Sequence, residues 1–381
     1  MFDFERVEQA IARASERSEL DDTALLLWLR REFPRDIASQ AVEQIRLRYR
    51  AKRKFSRAER MWFTPHGLEQ SSSEQLAAYH ASRFPRDLLV VDAGCGIGGD
   101  LLALAQRGEV AGIDRENLAL RFARRNLQAY GVDANLIHAD ITQLRLERAD
   151  YLFWDPSRRR EGVRSSVPGD WSPPWGVVCA FSEAVRGALV KTSPALRVEQ
   201  IPPGCEREYV SVGGECRELL LAFGECRQGL ARSAFVLEER ARLVAHGATS
   251  PGVHEAQGWV YDPDPAVVAA HLIPELAELL NACQLHPRIA YLTSDVLVQT
   301  PFARAYQVLE HFAYSRKRLF ERLRVLKAGG ITVKKRGVAV EPQQLTRLWK
   351  PAGDRAVTVL LYRSDAGVMA VLAEDTRSVT S

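Results

Sequence analysis

The sequence lacks the features that would indicate a membrane protein or a disulfide-stabilised one. No apolar run in its 381 residues approaches the ~20 residues that a membrane-spanning helix requires. The N-terminal stretch "MFDFERVEQAIARASER" is charged throughout and has no apolar segment of the secretory type. Six cysteines form no CxxC pair, and eight histidines form no HExxH cluster. We therefore expect a cytoplasmic protein with no membrane association, no disulfide bonds and no metal site.

Charge of one sign is not in large excess, since the net charge of the whole chain is only +4. The basic residues are nevertheless concentrated in two stretches. "RLRYRAKRKFSRAER" (46–60) contains eight basic residues and one Glu, and "RKRLFERLRVLKAGGITVKKRG" (316–337) contains nine and one Glu. Such stretches beside aromatic residues are typical of phosphate-binding surfaces, but solvated helix faces give the same pattern. Nucleic-acid binding is therefore indicated but not decided by charge.

From Leu88 onward, short apolar segments alternate with amphipathic ones. The apolar segments are predicted as buried parallel strands: "DLLVVDAG", "VAGID", "ANLIHADI", "ADYLFWDP" and "GALVKTSP". Repeated strand–helix units of this kind predict an α/β fold with a doubly wound, Rossmann-like sheet. We expect an N-terminal helical region over 1–75, the α/β domain over 76–240, and a C-terminal α+β domain over 241–381.

The stretch "VVDAGCGIGGD" (90–100) joins the first predicted strand to a helix and contains four glycines. Gly94-x-Gly96-x-x-Gly99 fits the pattern of dinucleotide-binding loops. Gly94-x-Gly96-x-Gly98 fits the loop that binds S-adenosylmethionine in class I methyltransferases. Glycine allows the sharp turn and the close approach of backbone to ligand that both loops need. The glycines alone therefore do not choose the cofactor.

Asp92, two residues before the loop, separates the two cofactors. A dinucleotide places its pyrophosphate over such a loop, where a neighbouring carboxylate would repel it. S-adenosylmethionine has no phosphate and carries a sulfonium cation and an amino group, both of which a carboxylate attracts. We therefore predict S-adenosylmethionine as the cofactor, bound by Asp92 and by the loop residues Gly94, Cys95, Gly96 and Gly98.

Two further carboxylates follow predicted strands. Asp114 ends the second strand, where a carboxylate can accept both ribose hydroxyls of either cofactor. Asp140 ends the third strand, where it can accept the adenine amino group, although a turn-forming role explains it equally well. Because the carboxyl ends of parallel strands meet at one edge of a sheet, both are expected to line the same cleft as Asp92.

The fourth predicted strand ends in "YLFWDPSRRR", which brings Asp155 and Pro156 to the mouth of the cleft. Methyl transfer from an activated donor needs little more than alignment of the acceptor's electron pair. We predict that Asp155 orients or deprotonates an acceptor N–H or O–H, and that Arg158 and Arg159 hold phosphates beside it. Trp171, in "DWSPPWG", is a candidate to stack on a base, although ordinary loop packing explains it as well.

Several stretches in order carry a resemblance to a known family: "FTPHGLEQSS", "VVDAGCGIGGD", "DPSRR", "SVGGECRELLL", "GWVYDPDPAVV", "PFARAYQVLE" and "TVKKRG". The chain resembles class I S-adenosylmethionine-dependent methyltransferases. More narrowly, it resembles the bacterial family that joins this domain to a C-terminal THUMP-like domain and is distantly similar to trimethylguanosine synthases. The resemblance implies that the first stretch folds over the cofactor, with Thr64 and Gln70 as candidates. It also implies that the C-terminal domain docks RNA through Lys334, Lys335 and Arg336.

The leading hypothesis is a methyltransferase that uses S-adenosylmethionine and acts on a base nitrogen in tRNA, rRNA or another structured RNA. The run Asp155-Pro156-Ser157-Arg158 departs from the Asp/Asn-Pro-Pro-aromatic pattern of many amino-methyltransferases. This departure motivates a second hypothesis, a non-catalytic RNA-binding module that retains S-adenosylmethionine. A small-molecule methyltransferase is the third and a NAD-dependent oxidoreductase the last. The sequence does not indicate the oligomeric state.

Overall fold

The computed structural model describes residues 2–157, 159–160, 163–164 and 171–376. The chain forms two compact units, residues 1–206 with 220–228, and residues 207–219 with 229–381. The N-terminal helices thus belong to the same unit as the strands that follow them. The finer division into three domains stays a prediction.

The helices and strands of the described residues have the following bounds. The α-helices are α1 (Phe4–Ala14), α2 (Asp22–Leu29), α3 (Arg35–Ala51), α4 (Pro65–Gln70), α5 (Glu74–Ser82), α6 (Gly99–Ala105), α7 (Asn117–Tyr130), α8 (Trp175–Ala184), α9 (Pro265–Ala269), α10 (Ile273–Leu280), α11 (Arg316–Val325) and α12 (Pro342–Leu348). The strands are β1 (Val90–Ala93), β2 (Val110–Asp114), β3 (Asn135–His138), β4 (Tyr151–Trp154), β5 (Arg159–Arg160), β6 (Val163–Arg164), β7 (Gly187–Thr192), β8 (Glu206–Val212), β9 (Glu215–Gly224), β10 (Arg232–Val236), β11 (Ala241–Val244), β12 (Trp259–Pro263), β13 (Cys283–His286), β14 (Ile289–Ser294), β15 (Ala303–Ala313), β16 (Ala328–Arg336), β17 (Arg355–Ser364) and β18 (Gly367–Asp375). Among the described residues, no helix is long and apolar enough to cross a membrane.

The sheet of the first unit has the doubly wound order that the sequence predicts. Its parallel strands lie in the order β7–β4–β1–β2–β3. The chain moves from β1 outward to β2 and β3, then returns to place β4 on the other side of β1. Asp92 is opposite Gly112 on β2 and Phe153 on β4. The strand order therefore reverses at the carboxyl end of β1, where open α/β sheets bind their ligands.

The α3 helix fixes an extended segment that leads toward the glycine loop. The Gln44 side chain pairs with the backbone of Phe63, with Nε2 donating to O at 2.6 Å and Oε1 accepting from N at 3.0 Å. Arg48 Nε donates to the carbonyl of Met61 at 2.9 Å. Both side chains are buried, so α3 presents a polar inner face that satisfies this backbone.

The second unit is built around a seven-stranded sheet of order β13–β14–β12–β15–β18–β17–β16. Its pairs are antiparallel, except that β16 and β17 are parallel. Alternating residues of β17 enter two different cores: Val359 and Leu361 pack with α11 and α12 residues, whereas Leu360 and Tyr362 pack with residues of β12 and β14. This alternation follows from the period of two along a strand and produces an α+β unit.

Candidate active site

Asp92, in β1, has a buried carboxylate with one oxygen that lacks a hydrogen-bond partner among the described residues. Asp92 is only 3% exposed, and no group among the described residues donates a hydrogen bond to its Oδ2. Burial raises the pKa of Asp92 well above its usual range, and repulsion from Asp100, Asp114 and Asp155 adds to the rise, while Lys191 opposes it. An unsatisfied buried acceptor costs about 1–3 kcal/mol. This oxygen is therefore suited to a cation or donor supplied by a ligand.

The glycine loop after β1 leaves space beside its backbone. Gly94, Gly96 and Gly98 have φ of 78°, 55° and 91°, a region that disfavours other residues. A β-carbon added to Gly94 or Gly96 would meet no described atom within 4 Å. The amides of Gly94 and Cys95 both donate to the carbonyl of Ile113, at 2.8 and 3.0 Å, which anchors the loop to β2. The loop is thus a fixed and open cradle.

Cys95 contributes its backbone to this cradle. Its side chain is buried, and burial raises the pKa of the Cys95 thiol, as do the nearby charges of Asp92 and Asp114. A thiol with a raised pKa is a poor nucleophile at neutral pH. Cys95 therefore suits a packing role below the loop.

Asp114 is the last residue of β2, and Asp140 lies two residues after β3. The two oxygens of Asp114 accept from the amides of Gly96 and Glu116, both at 2.8 Å, so the carboxylate is fixed beside the loop. Asp140 is exposed and caps the short turn after β3, where Oδ1 accepts from the amide and the hydroxyl of Thr142 at 2.9 and 2.7 Å. The hydrogen bonds from Thr142 hold the pKa of Asp140 below its usual range. The turn-forming role expected for Asp140 is present and leaves its other oxygen for a ligand.

The segment that contains Thr64 and Gln70 packs against the loop. Thr64 caps α4 by accepting from the amide of Gly67 at 2.9 Å, and Gly67 lies so close to Ile97 that a β-carbon would be 2.7 Å from Ile97 Cγ2. Asn126 Nδ2 donates to the carbonyl of Ile97 at 2.9 Å, which ties the same loop to α7. Gln70 is exposed at the end of α4. Cofactor contacts by Thr64 and Gln70 stay predictions.

Asp155 follows β4 and forms an ion pair that the sequence analysis did not find. Lys191, on the neighbouring strand β7, places Nζ 2.5 Å from Asp155 Oδ2. The Lys191 side chain is 12% exposed and that of Asp155 is 30% exposed, so the carboxylate is the more open of the two. The sequence contains a signal for this ion pair, because Lys191 is the one charged residue in the strand "GALVKT". A lysine in a buried strand requires a partner of opposite charge.

A second group of polar residues extends from Lys191 below the loop. Lys191 Nζ donates to Ser72 Oγ at 3.3 Å, and Ser72 donates to Asp100 Oδ2 at 2.8 Å. The fully buried His80 places Nδ1 2.6 Å from Asp100 Oδ1. Burial acts to raise the pKa of Asp100, but His80, Lys191 and Ser72 together lower it below its usual range. Asp100 is thus stabilised as a carboxylate by these neighbours, whereas Oδ2 of Asp92 has no partner among the described residues.

Pro156 and Ser157 continue from Asp155 and meet the "DWSPPWG" segment. Ser172 donates its amide to the carbonyl of Ser157 at 3.0 Å, so this segment lies beside the predicted acceptor residues. Trp171 is 3% exposed and its ring packs edge-on against Trp175 at 5.3 Å. Loop packing therefore describes Trp171 here, and stacking on a base would require it to become exposed. Arg158 lies outside the described residues, and Arg159 is described only as part of the backbone of β5.

The predicted RNA-docking residues of the second unit have partners within the chain. Lys334 Nζ and Arg336 Nη2 contact opposite oxygens of Asp262 at 2.7 and 2.8 Å. Lys335 pairs with Glu341 at 2.9 Å. Their charges are therefore partly matched before any RNA is present, and RNA docking through these three residues stays a prediction.

Comparisons with known proteins agree with this geometry. Residues 90–154 match a family model described as a methyltransferase domain, and residues 303–374 match one described as THUMP domain-like. Proteins from Mycobacterium tuberculosis strains CDC 1551 / Oshkosh and ATCC 25618 / H37Rv, both named "uncharacterized S-adenosylmethionine-dependent methyltransferase", are 33% identical over 310 residues, which is 80% of this chain and 85% of theirs. A solved structure from Porphyromonas gingivalis W83, provisionally described as a methyltransferase, covers 99% of this chain and 100% of that chain, with 21% identity and a TM-score of 0.81. This last match shows a shared fold.

Proposed function

This chain belongs to the S-adenosylmethionine-dependent methyltransferases, and from that premise we propose that it methylates a base nitrogen in a structured RNA such as tRNA or rRNA. The membership confirms the enzyme class and the cofactor predicted from the glycine loop. The observation that carries the RNA part is the THUMP domain-like segment 303–374 in the same chain as the methyltransferase domain. The base nitrogen is supported by Asp155, the carboxylate at the end of β4.

The residues around the glycine loop fit the cofactor. The unpartnered Oδ2 of Asp92 suits the positive charge of the methionine part, and the open space beside Gly94 and Gly96 suits close approach of the cofactor to the backbone. Asp114 would hold the ribose and Asp140 the adenine. When bound, S-adenosylmethionine supplies a methyl group that is already activated for transfer.

Asp155 supplies orientation at the acceptor. Because Lys191 occupies one of its oxygens, the other can accept a hydrogen bond from an N–H of the base. That hydrogen bond turns the nitrogen electron pair toward the methyl donor and gives the departing proton an acceptor. Pro156, which follows directly, limits the backbone freedom of this position.

RNA docking on the second unit is supported by the exposed cations of α11. Arg316, Lys317, Arg318 and Arg324 are exposed, whereas Arg322 is paired with Glu310. Exposed, unmatched cations attract phosphates more strongly than cations already held by a carboxylate. We therefore assign the larger part of the docking on this unit to α11, and a smaller part to Lys334, Lys335 and Arg336.

The proposal is tested by incubating the protein with tritium-labelled S-adenosylmethionine and bulk bacterial tRNA and rRNA. We expect label in RNA with wild type and none with Asp155→Ala, although that variant still binds the cofactor in isothermal titration. Cofactor binding without any transfer to RNA, in wild type as in the variant, would favour the non-catalytic RNA-binding module. Label in small molecules of a cell extract, with none in RNA, would favour a small-molecule methyltransferase.

A further inference from the structure

The basic stretch 46–60 divides into residues that support the fold and residues that do not. Three of its eight cations contact other parts of the first unit, and a fourth, Lys52, pairs with a residue of the stretch itself. Arg48 pairs with Glu8 at 2.8 Å, and Lys52 pairs with Glu59 at 2.6 Å. Lys54 donates to three carbonyls at the end of α4 and just after it, those of Leu68, Glu69 and Ser71, and Arg57 donates to that of Ala129 at 2.9 Å. These four basic side chains therefore already have partners within the first unit.

The remaining cations include three that lie together with an aromatic ring. Arg46 and Arg50 are exposed on α3, Arg53 is exposed in the turn after it, and the side chain of Tyr49 is 75% exposed. Within the part of the chain that the structure describes, none of these four side chains forms an ion pair or a hydrogen bond. We call these four residues the α3 face.

Helix geometry explains why one stretch contains both groups. At 3.6 residues per turn, Arg46, Tyr49 and Arg50 fall within an arc of about 100° on α3. Gln44 and Arg48, whose side chains are buried and hold the Met61–Phe63 backbone, point to the opposite side. The helix is therefore anchored by one side and presents cations and a ring on the other. Glu43, one turn earlier, is the nearest acidic residue on α3.

The composition of the α3 face suits RNA in particular. Arginine donates to phosphate oxygens in fixed fork geometry, and a tyrosine ring stacks on unpaired bases. Because Tyr49 is 75% exposed, its ring is accessible for stacking on such a base. The anchored side of α3 also fixes the helix backbone that carries Arg46, Tyr49 and Arg50, which lowers the backbone entropy lost on binding.

We propose that the α3 face is an RNA-contact surface of the methyltransferase unit, distinct from the THUMP domain-like segment. The proposal rests on the proposed function, because it takes RNA as the substrate. Arg46, Arg50 and Arg53 bind the phosphate backbone, and Tyr49 stacks on a base of an unpaired segment. The unit that holds the acceptor residue thereby holds part of the substrate itself.

The test compares two triple variants of the full-length chain. Arg46→Gln/Arg50→Gln/Arg53→Gln removes the cations of the α3 face, and Arg86→Gln/Arg124→Gln/Arg148→Gln removes three exposed cations elsewhere in the same unit. Binding of bulk bacterial tRNA is measured by fluorescence anisotropy over a series of salt concentrations. For the α3 variant we expect affinity lower by about tenfold or more and a salt slope smaller by about two, since each phosphate contact contributes about 0.7–0.9 to the slope. The control should stay close to wild type.

Tyr49 provides a second, uncharged test. Tyr49→Ala should weaken RNA binding by about tenfold without changing the salt slope, whereas Tyr49→Phe, which keeps the ring, should bind nearly as wild type does. Cofactor affinity, measured by isothermal titration, should be unchanged in every variant, which also verifies folding. If the triple variant loses cofactor binding, the single variants Arg46→Gln and Arg50→Gln replace it, each with a slope smaller by less than one.

The outcomes separate this inference from the proposed function. If wild type does not bind RNA at any salt concentration, both fail. If wild type binds RNA, but the α3 triple variant and its control bind equally well, the α3 face is not an RNA surface while the proposed function stands. A loss of affinity with an unchanged salt slope in the triple variant would also overturn the phosphate contacts.

Discussion

Two carboxylates at the carboxyl ends of β1 and β4, those of Asp92 and Asp155, differ in burial and in pairing. Asp92 is buried and its Oδ2 has no partner among the described residues, whereas Asp155 is partly exposed and already paired with Lys191. We infer that the cofactor side of the cleft is completed by its ligand, and the acceptor side is assembled beforehand. A buried carboxylate without a partner favours binding of a positively charged cofactor. A carboxylate already fixed by a lysine favours alignment of the acceptor.

A substitution on the acceptor side of the cleft should have the largest effect, and this effect should be on the rate of methyl transfer. Asp155→Ala removes the carboxylate that we propose aligns the acceptor and receives its proton, so we expect methyl transfer to fall by about 10²–10⁴-fold. Cofactor affinity should change less than about threefold, because Asp155 lies on the acceptor side. Single-turnover transfer and isothermal titration measure the two quantities. Equal losses in both would remove the distinction between the two sides.

The cofactor side should show its effect in binding. Asp92→Asn keeps the size of the side chain but removes its charge, and we expect cofactor affinity to fall by roughly 30–100-fold, equivalent to about 2–3 kcal/mol. Asp133→Asn, an exposed change of the same kind, should bind normally. Wild-type affinity in the variant would show that the unpartnered oxygen does not face the cofactor.

The raised pKa of Asp92 gives this comparison a pH dependence. As pH falls through that pKa, Asp92 takes up a proton and loses the negative charge that we propose attracts the cofactor, so wild-type binding should weaken at low pH. Without cofactor the sign is reversed: a folded-state pKa above the unfolded value means that stability is lost as pH rises. Asp92→Asn should therefore raise the melting temperature of the cofactor-free protein at pH 8, with a smaller gain at pH 5.

Lys191 connects the two sides and should have an intermediate effect. Lys191→Met leaves Asp155 without its partner, and we expect the rate of transfer to fall by about tenfold, mostly in kcat. Lys191→Arg keeps the positive charge and should recover part of that rate. If the arginine variant is no better than the methionine variant, the charge on β7 does not position Asp155.

The smallest effect should come from the cradle itself. Gly96 and Gly131 both have positive φ, 55° and 67°, and an added β-carbon meets nothing within 4 Å at either site. Alanine at either position should therefore cost about 1–2 kcal/mol of folding free energy. Only Gly96→Ala should also weaken cofactor binding, by a few-fold. Equal cofactor affinities in the two variants would indicate that the cradle does not contact the ligand.

The parts of the site that the sequence predicts are those set by short segments of chain. The order of strands and the reversal beside β1 follow from repeated strand–helix units, which place Asp92, Asp114 and Asp155 at strand ends. The glycine pattern needs only five residues. For these, periodicity and turn chemistry are sufficient.

The parts that the sequence does not predict depend on residues far apart in the chain. Lys191 meets Asp155 because β7 pairs with β4, and Lys334 meets Asp262 across a separation of 72 residues. Likewise, a count of charges does not distinguish Arg48 from Arg50. Arg48 is buried and paired with Glu8, whereas Arg50 is exposed. Packing decides which basic side chains stay exposed and can bind a partner, and amino-acid composition carries no information on packing.

The most direct test of the central claim is the modified-nucleoside profile of total RNA, measured by mass spectrometry in a deletion strain and its parent. We expect one base-methylated nucleoside to disappear on deletion. Wild-type protein should restore it, and Asp155→Ala protein should not. Identical profiles in parent and deletion strain, with the protein expressed in the parent, would contradict RNA base methylation as the function of this chain.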